Sequence, residues 1–212
     1  MNATTLKQIR QARIVPVVVI DDAAVALELA DALLAGGLNV IEITFRTPAA
    51  AAAIAKIAAA RPVMLVGAGT LLTEDNVRRA VDAGARFGLA PGLNVRTVEA
   101  ARRAGLDFSP GIATPSELEQ ALQLECPVVK FFPAEQAGGV PMLKALEGPY
   151  RHTGVQFIPT GGINLKNLAD YLALESVAAI GGSWFVEKKL IATRDWIGIT
   201  KLTQEALAAA RA

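Results

Sequence analysis

Eight short apolar runs alternate along the chain with longer Ala- and Leu-rich stretches of helical periodicity, and this alternation limits the possible folds most strongly. The runs lie at 14–20, 39–45, 63–69, 86–90, 107–111, 127–132, 155–159 and 177–182. Several of the stretches between them open with Thr, Asp or Asn and close on Gly, as helix caps require. Strands that alternate with helices in this way indicate parallel β-α units.

Eight such units predict a compact α/β fold, the TIM (β/α)8 barrel, in which about the first dozen residues form an extra N-terminal helix. A last helix is expected over 193–211, after the eighth strand. A doubly wound open sheet is the structural alternative. Because no composition break divides the 212 residues, we expect a single domain over 1–212.

The overall composition argues against several classes of protein. The formal net charge is +1, so no electrostatic footprint points to nucleic acid. No stretch reaches the roughly 18 continuous apolar residues of a membrane helix. The N-terminus has charged residues and glutamines where a signal peptide has an apolar core. We therefore expect a cytoplasmic protein with no nucleic-acid or membrane partner.

Residues that bind soft metals are scarce. The chain has one cysteine, Cys126, and one histidine, His152. A single cysteine rules out an internal disulfide, and one cysteine with one histidine provides too few ligands for a typical transition-metal site. Chemistry that runs without such a metal is therefore expected.

Nearly every predicted strand ends in Gly, Pro, Thr or a polar residue at its carboxyl end. The segments are TFR, GAGT, APGLN, SPGIATP, PAE, PTGGIN and GGSW, after strands two to eight in order. In a barrel these ends form one rim, where catalytic and phosphate-binding groups collect. This pattern favours the barrel over the open sheet.

Lys130 lies in the run VVKFF, among residues typical of a buried strand. Because side chains alternate between faces, Lys130 shares one face with Val128 and Phe132 and points inward if that face is the interior. A desolvated amine loses its proton more readily and becomes a nucleophile toward carbonyl groups. The structural alternative is a lysine that reaches the rim or pairs with a carboxylate. The other lysines are in helical or loop stretches and are expected to be solvated: Lys7, Lys56, Lys144, Lys166, Lys188, Lys189 and Lys201.

The second strand offers a partner for this lysine. In NVIEITFR, alternation places Val40, Glu42, Thr44 and Arg46 on one face, so a carboxylate would enter the same interior with an arginine above it at the rim. A carboxylate beside an amine that attacks a carbonyl could move the protons that imine formation demands. The structural alternative is an ion pair of Glu42 with Lys130 or Arg46.

Two glycine pairs follow the last two strands, in PTGGIN at 159–164 and IGGSW at 180–184. Glycine lets the backbone approach a ligand closely, and loops after strands seven and eight of a barrel frequently form a phosphate site. Thr160 and Ser183 add hydroxyl groups there. The alternative is that the glycines only close tight turns.

Seven motifs in chain order, covering nearly the whole sequence, resemble the family of class I 2-keto-3-deoxy-6-phosphogluconate (KDPG) aldolases. They are EITFRTP with Glu42, GAGT at 67–70, APGL at 90–93, PGIATPSE at 110–117, KFFPAE with Lys130, PTGGI at 159–163 and GGSW at 181–184. The resemblance implies an aldehyde-lyase with Lys130 as the Schiff-base lysine and Glu42 as the acid–base residue, acting through water. It also implies a homotrimer and no cofactor beyond the covalent imine that Lys130 forms with substrate.

The same resemblance implies a substrate-binding set divided between two halves of a phosphorylated 2-keto acid. Arg46 and Thr70 would hold the carboxylate of the pyruvate half, and Pro91 and Phe132 would shape its pocket. Thr160 would border that pocket. The phosphate would lie in a cradle formed by Gly161, Gly162, Gly181, Gly182 and Ser183.

The expected reaction is cleavage of KDPG to pyruvate and glyceraldehyde 3-phosphate. The C4-epimeric galactonate compound and 4-hydroxy-2-oxoglutarate share the pyruvate-forming half, but the phosphate turns favour a phosphorylated substrate. Strand one ends in VVVIDD, and Asp21 there has no assigned role. Two rival interpretations are another phosphate-handling barrel, such as an isomerase or phosphosugar synthase, and an Ala-rich assembly protein whose barrel serves only as scaffold.

Overall fold

A computed structural model of the protein describes residues 1–211. The strands are β1 (Ile14–Val18), β2 (Val40–Thr44), β3 (Leu65–Gly69), β4 (Phe87–Leu89), β5 (Asp107–Ser109), β6 (Gly111–Ile112), β7 (Val128–Phe131), β8 (Gln156–Phe157) and β9 (Ile180–Gly182). The helices are α1 (Ala3–Ala12), α2 (Ala26–Ala35), α3 (Ala50–Ala60), α4 (Glu74–Asp82), α5 (Val95–Arg103), α6 (Pro115–Gln123), α7 (Gly139–Tyr150), α8 (Leu168–Leu172), α9 (Lys188–Ala192) and α10 (Trp196–Arg211). Short 3-10 helices lie at Ala23–Val25 and Arg151–Thr153.

The strands form parallel sheets between helices, which confirms the predicted α/β alternation. One sheet has six strands in the order β5-β4-β3-β2-β1-β9, and a second has three in the order β6-β7-β8. Single parallel bridges join Phe157 to Val177 and Thr160 to Gly181. In the six-stranded sheet the order follows the chain and β1 lies beside β9, whereas a doubly wound sheet starts in the middle and reverses direction. The strand order therefore differs from that of the doubly wound alternative.

Proline divides the predicted fifth strand, 107–111, into β5 and β6. Pro110 has no N–H to donate to a ladder, but its carbonyl accepts a hydrogen bond of 2.8 Å from the Lys130 N–H. The chain pairs with β4 before this residue and with β7 after it. One continuous stretch of backbone thus contributes β5 to the six-stranded sheet and β6 to the three-stranded sheet.

The predicted last helix, 193–211, begins later than expected. Arg194 has a φ of 54° and interrupts the helical stretch between α9 and α10. The Asp195 carboxylate then accepts a 2.9 Å hydrogen bond from the Gly198 N–H, as an N-cap does. The polar residues at 193–195 therefore end one short helix and start a long one.

Side-chain caps position other helices as the sequence predicts. Asn2 caps α1, and Thr114 with Glu117 forms a reciprocal capping box at the start of α6. The Thr5 hydroxyl also donates a 2.5 Å hydrogen bond to Asp107, the first residue of β5. Helix α1 therefore lies against the amino-terminal ends of the strands, opposite the rim that carries the polar motifs.

All five residues of β2 are buried, which shows that both faces of this strand are covered. Gly67 in β3 illustrates how closely the interior packs, because a Cβ built there would overlap the ring of Phe87. No helix within residues 1–211 combines the length and the apolar composition that crossing a membrane requires.

We expect Gly67→Ala to lower the free energy of unfolding by about 1–3 kcal/mol, because the added methyl group overfills a packed interior. Gly92→Ala is the matched control, since a Cβ there meets nothing within 4 Å and φ is not left-handed. The control should stay within about 0.5 kcal/mol of wild type. Urea denaturation measures both, and equal stability of the two variants would contradict this packing argument.

Candidate active site

Lys130 is buried near the carboxyl end of β7. The residue is 5% exposed, and its backbone is held between β6 and β8, with Gly111 as its register partner in β6. A lysine so placed requires a partner, because an isolated buried ammonium group is costly. The inward orientation that strand alternation predicts is the one observed.

The partner is Glu42, which lies in β2 and is 1% exposed. Lys130 Nζ donates a hydrogen bond of 3.3 Å to Glu42 Oε1. Strands β2 and β7 belong to different sheets, so the two side chains meet across the interior rather than along one ladder. The ion pair that was the structural alternative for both residues is present, and it also gives a buried amine an adjacent proton acceptor.

Strand β3 makes room for this pair. Gly69 lies beside the Glu42 carboxylate, and a Cβ at Gly69 would overlap Oε1. The following residue, Thr70, has a φ of 57°. A left-handed conformation is unusual for a β-branched residue and marks a position of strain, a type of feature that clusters at functional sites. The glycines of GAGT thus have a specific steric role.

Phe132 links the buried pair to the open rim. Its ring centroid lies 5.6 Å from Lys130 Nζ, within the range of a cation–π contact. The Phe132–Pro133 peptide bond is cis. Phe132 also contributes to the wall of the cavity at the carboxyl ends of the strands.

That cavity has a volume of about 410 Å³ and collects most of the predicted binding residues. The predicted residues in its wall are Arg46, Phe132, Thr160, Gly161, Gly162, Gly181 and Ser183. Its remaining wall is formed by Val17, Val19, Ile163, Val186, Glu187 and Lys188. The two glycine-rich turns and the rim arginine are therefore brought together, as the barrel prediction requires.

The other five predicted residues are not part of this wall. Lys130 and Glu42 are buried, Thr70 directly follows β3, and Gly182 is covered by the Trp184 ring, which a Cβ at Gly182 would overlap. Pro91 also lies outside the wall. Its carbonyl group packs where a Cβ of Gly111 would be, next to the register partner of Lys130.

The turn after β8 exposes backbone rather than side chain to the cavity. Gly161 and Gly162 have φ values of 105° and 78°, which only glycine adopts readily. Gly181 is equally constrained, because a Cβ there would overlap the hydroxyl of Thr160. The glycines therefore permit both the turn conformation and the close approach of β9.

A hydrogen-bonded pair that the sequence analysis missed supports this turn. The hydroxyl of Tyr171, which is fully buried, donates a hydrogen bond to the Glu135 carboxylate. The Glu135 N–H donates a 3.1 Å hydrogen bond to the Gly161 carbonyl, and a Cβ at Gly162 would overlap the Glu135 side chain. The sequence feature that could have indicated this pair is the PAE motif, whose acidic residue Glu135 comes shortly after β7, the strand of Lys130.

Lys188 and Asp21 were also missed as a pair. Lys188 is exposed, as expected of a solvated lysine, and no role is predicted for Asp21. Lys188 Nζ nevertheless lies 2.9 Å from Asp21 Oδ2, and the Lys188 side chain lines the cavity. Among residues 1–211, no group of three or more His, Cys, Asp or Glu side chains is arranged to hold a metal ion.

Comparison with known proteins decides the family. Residues 6–202 match the family described as "Aldolase: KDPG and KHG aldolase". The chain belongs to the KDPG and KHG aldolase family. Its motifs at the strand ends are thus those of a KDPG/KHG aldolase, as the sequence resemblance predicts.

Relatives of this KDPG/KHG aldolase family member match over almost their full lengths. A 2-dehydro-3-deoxy-phosphogluconate aldolase of Haemophilus influenzae is 47% identical over 98% of each chain. A KDPG aldolase structure from Legionella pneumophila, with pyruvate captured as a covalent carbinolamine, has a TM-score of 0.90 at 41% identity and covers 95% of this chain and 97% of that one. The Zymomonas mobilis enzyme with 3-phosphoglycerate has a TM-score of 0.89 at 40% identity, covering 96% and 95%.

The Tyr171 hydroxyl predicts a measurable pH dependence of stability. Burial, and then the hydrogen bond to Glu135, raise the pKa of Tyr171 well above its ordinary value. In the unfolded chain the phenol ionises near pH 10, whereas in the folded protein it stays protonated, so its stabilising contribution is complete below about pH 10 and is lost above it.

We therefore expect wild type to exceed Tyr171→Phe in unfolding free energy by about 1 kcal/mol near neutral pH. That difference should shrink above about pH 10, by up to about 1.4 kcal/mol per pH unit. Denaturation at several alkaline pH values measures it. A pH-independent difference between wild type and Tyr171→Phe would contradict the assignment.

Proposed function

We propose that this protein is a class I aldolase that cleaves KDPG to pyruvate and glyceraldehyde 3-phosphate through an imine on Lys130. The observation that carries the proposal is the buried Lys130 amine, 3.3 Å from the Glu42 carboxylate and 5.6 Å from the ring of Phe132, which lines the glycine-rich cavity. Family membership and the covalent pyruvate adduct of the Legionella relative support it.

Lys130 attacks the C2 ketone of the substrate, and loss of water from the resulting carbinolamine gives a protonated imine. The imine accepts the electron pair of the C3–C4 bond, which breaks to give an enamine and glyceraldehyde 3-phosphate. Glu42, acting through water, removes the C4 hydroxyl proton as this bond breaks. Protonation at C3 and hydrolysis then release pyruvate and restore the amine. Covalent catalysis of this kind divides one difficult step into easier ones.

The pyruvate half lies over the lysine in this proposal. Arg46, an exposed residue in the cavity wall, binds the carboxylate because its planar guanidinium matches two oxygens. Thr70 assists Arg46 from its strained position at the end of β3. Pro91 and Phe132 shape the walls of this half, and Phe132 already contacts Lys130.

The phosphate half lies in the cradle made by the two glycine-rich turns. Gly161, Gly162 and Gly181 offer backbone at the cavity wall, and Ser183 offers a hydroxyl. Gly182 admits the Trp184 ring that supports this turn. Thr160 borders both halves.

We further infer that the whole chain is one catalytic domain whose two sheets form a single closed eight-stranded barrel with α1 as an extra N-terminal helix. In support, β5 and β6 are separated only by Pro110, and the Gly181 N–H of β9 donates a 2.8 Å hydrogen bond to Pro159, just after β8. β9 in turn pairs with β1. These connections would close the ring.

The proposal includes a metal-independent reaction with no cofactor, since the imine itself acts as the electron sink. It also includes a homotrimer, as the sequence resemblance implies, and a cytoplasmic location, as the composition of the chain predicts. The shared pyruvate-forming half makes 4-hydroxy-2-oxoglutarate a secondary substrate, cleaved to pyruvate and glyoxylate. An isomerase or synthase would leave the buried lysine without a role, and a scaffold protein would not bind oxo-acids.

We expect borohydride reduction in the presence of pyruvate to add one reduced pyruvate irreversibly to the wild-type protein, at Lys130. Intact mass and peptide mapping measure this adduct. Lys130→Ala should form no adduct and should not cleave KDPG. Lys144→Ala, which removes an exposed lysine of α7, should label as wild type does. Near-normal cleavage by Lys130→Ala would rule out the mechanism.

We expect Glu42→Gln to lower kcat for KDPG cleavage by about 10²- to 10⁴-fold, the usual scale for loss of a general acid–base group. Steady-state kinetics with a coupled pyruvate assay measure this change. Glu74→Gln, at an exposed position in α4, is the control and should keep wild-type rates. A change of less than tenfold in Glu42→Gln would show that another group moves the proton.

A further inference from the structure

The charged residues in the cavity wall leave one cation without a role in the proposed function. Within the described residues 1–211, the charged side chains that line the cavity are Arg46, Glu187 and Lys188. Arg46 is committed to the carboxylate of the pyruvate half. The phosphate group carries about 1.5 to 2 negative charges near neutral pH, and Glu187 adds another in the same wall.

Lys188 is placed beside the proposed phosphate cradle. It follows Ser183 by one short loop after β9, and both residues line the same cavity as Gly161 and Gly162. Backbone N–H groups and a hydroxyl can bind phosphate oxygens, but they carry no formal charge to offset the dianion. Lysine supplies that charge on a flexible side chain.

The ammonium group of Lys188 is held by Asp21. Lys188 Nζ lies 3.1 Å from Asp21 Oδ1 and 2.9 Å from Oδ2, and the two side chains are 56% and 66% exposed. Exposed ion pairs of this type contribute little to stability. The ammonium group can therefore leave Asp21 for a dianion at small cost.

The position of the pair agrees with such an exchange. Lys188 lines both the substrate cavity and an adjoining cavity of about 260 Å³, whereas Asp21 lines only the adjoining one. The lysine thus lies at the boundary between the two, and Asp21 holds it from the side away from the glycine turns. Asp22 and Arg194 also line the adjoining cavity, so their charges face the pair from that side.

We propose that Lys188 is a specificity-determining residue: its ammonium group moves from Asp21 to the substrate phosphate. This contact favours phosphorylated over unphosphorylated 2-keto-3-deoxy acids. The inference rests on the proposed aldolase function. It assigns Lys188 to substrate binding and Asp21 to competition with the substrate for the same ammonium group.

The test compares KDPG with 2-keto-3-deoxygluconate, which has the same carbon chain and no phosphate. Lys188→Met should raise KM for KDPG about tenfold or more, the scale of one lost charge-assisted hydrogen bond, with kcat little changed. Kinetics with 2-keto-3-deoxygluconate should match wild type. Lys189→Met is the matched control, because this neighbouring lysine is exposed and lies outside the cavity wall.

Asp21→Asn supplies an independent arm of the same experiment. Removing the competing carboxylate should lower KM for KDPG and should leave the kinetics with 2-keto-3-deoxygluconate unaffected. An unchanged or higher KM for KDPG in Asp21→Asn would overturn the competition. Equal effects of Lys188→Met on both substrates, or no effect on either, would overturn the specificity role.

Pyruvate and borohydride separate this inference from the function on which it rests. Lys188→Met should form the Lys130 adduct as wild type does, because pyruvate carries no phosphate. If wild type forms no adduct and cleaves no KDPG, the proposed function fails and this inference falls with it. If wild type does both but Lys188→Met discriminates the two substrates as wild type does, only this inference fails.

Discussion

The buried ion pair between Lys130 and Glu42 sets the requirements that the surrounding structure meets. Removing two charges from water is expensive, and deleting one partner of such a pair typically costs about 3–5 kcal/mol because the other is left uncompensated. The pair is therefore stable only if β2 and β7 hold their side chains at the observed separation of 3.3 Å. An interior that holds this pair out of water is costly for stability, and it places a proton acceptor next to the amine.

Space for the site is created by glycines where neighbouring side chains need volume. Gly67 admits the ring of Phe87, Gly69 admits the Glu42 carboxylate, and Gly181 admits the Thr160 hydroxyl. In each case the glycine lies on one strand and the bulky group comes from another. Glycines in these motifs therefore serve packing between strands as well as the proposed contact with a ligand. A glycine-rich strand end in a sequence does not by itself distinguish these two roles.

Sequence reasoning was most successful where the relevant physics is local. Strand alternation and helix caps depend on neighbouring residues, so the order of elements and the inward direction of Lys130 could be predicted. The partner change at Pro110 and the break at Arg194 needed tertiary context. The contact between Lys188 and Asp21 joins residues 167 positions apart, one at the start of α9 and the other in the segment after β1, and no periodicity relates two such positions. An exposed lysine is also usually only solvated. Tyr171 was missed for a similar reason, because it reads as an ordinary helical core residue.

The two cations of the cavity wall differ in a way that suits opposite ends of the proposed substrate. Arg46 carries a planar, rigid fork, which suits the end where the keto carbon must be aligned with Lys130. Small errors in alignment at a reacting centre are costly to the rate. Lys188 is exposed and flexible, and binds a group remote from the bond that breaks. Binding energy gained at a remote group can offset the cost of orienting the reacting group. The contact with the remote group therefore requires charge but little geometric precision. A rigid cation near the chemistry and a mobile one far from it would therefore satisfy both requirements in one cavity.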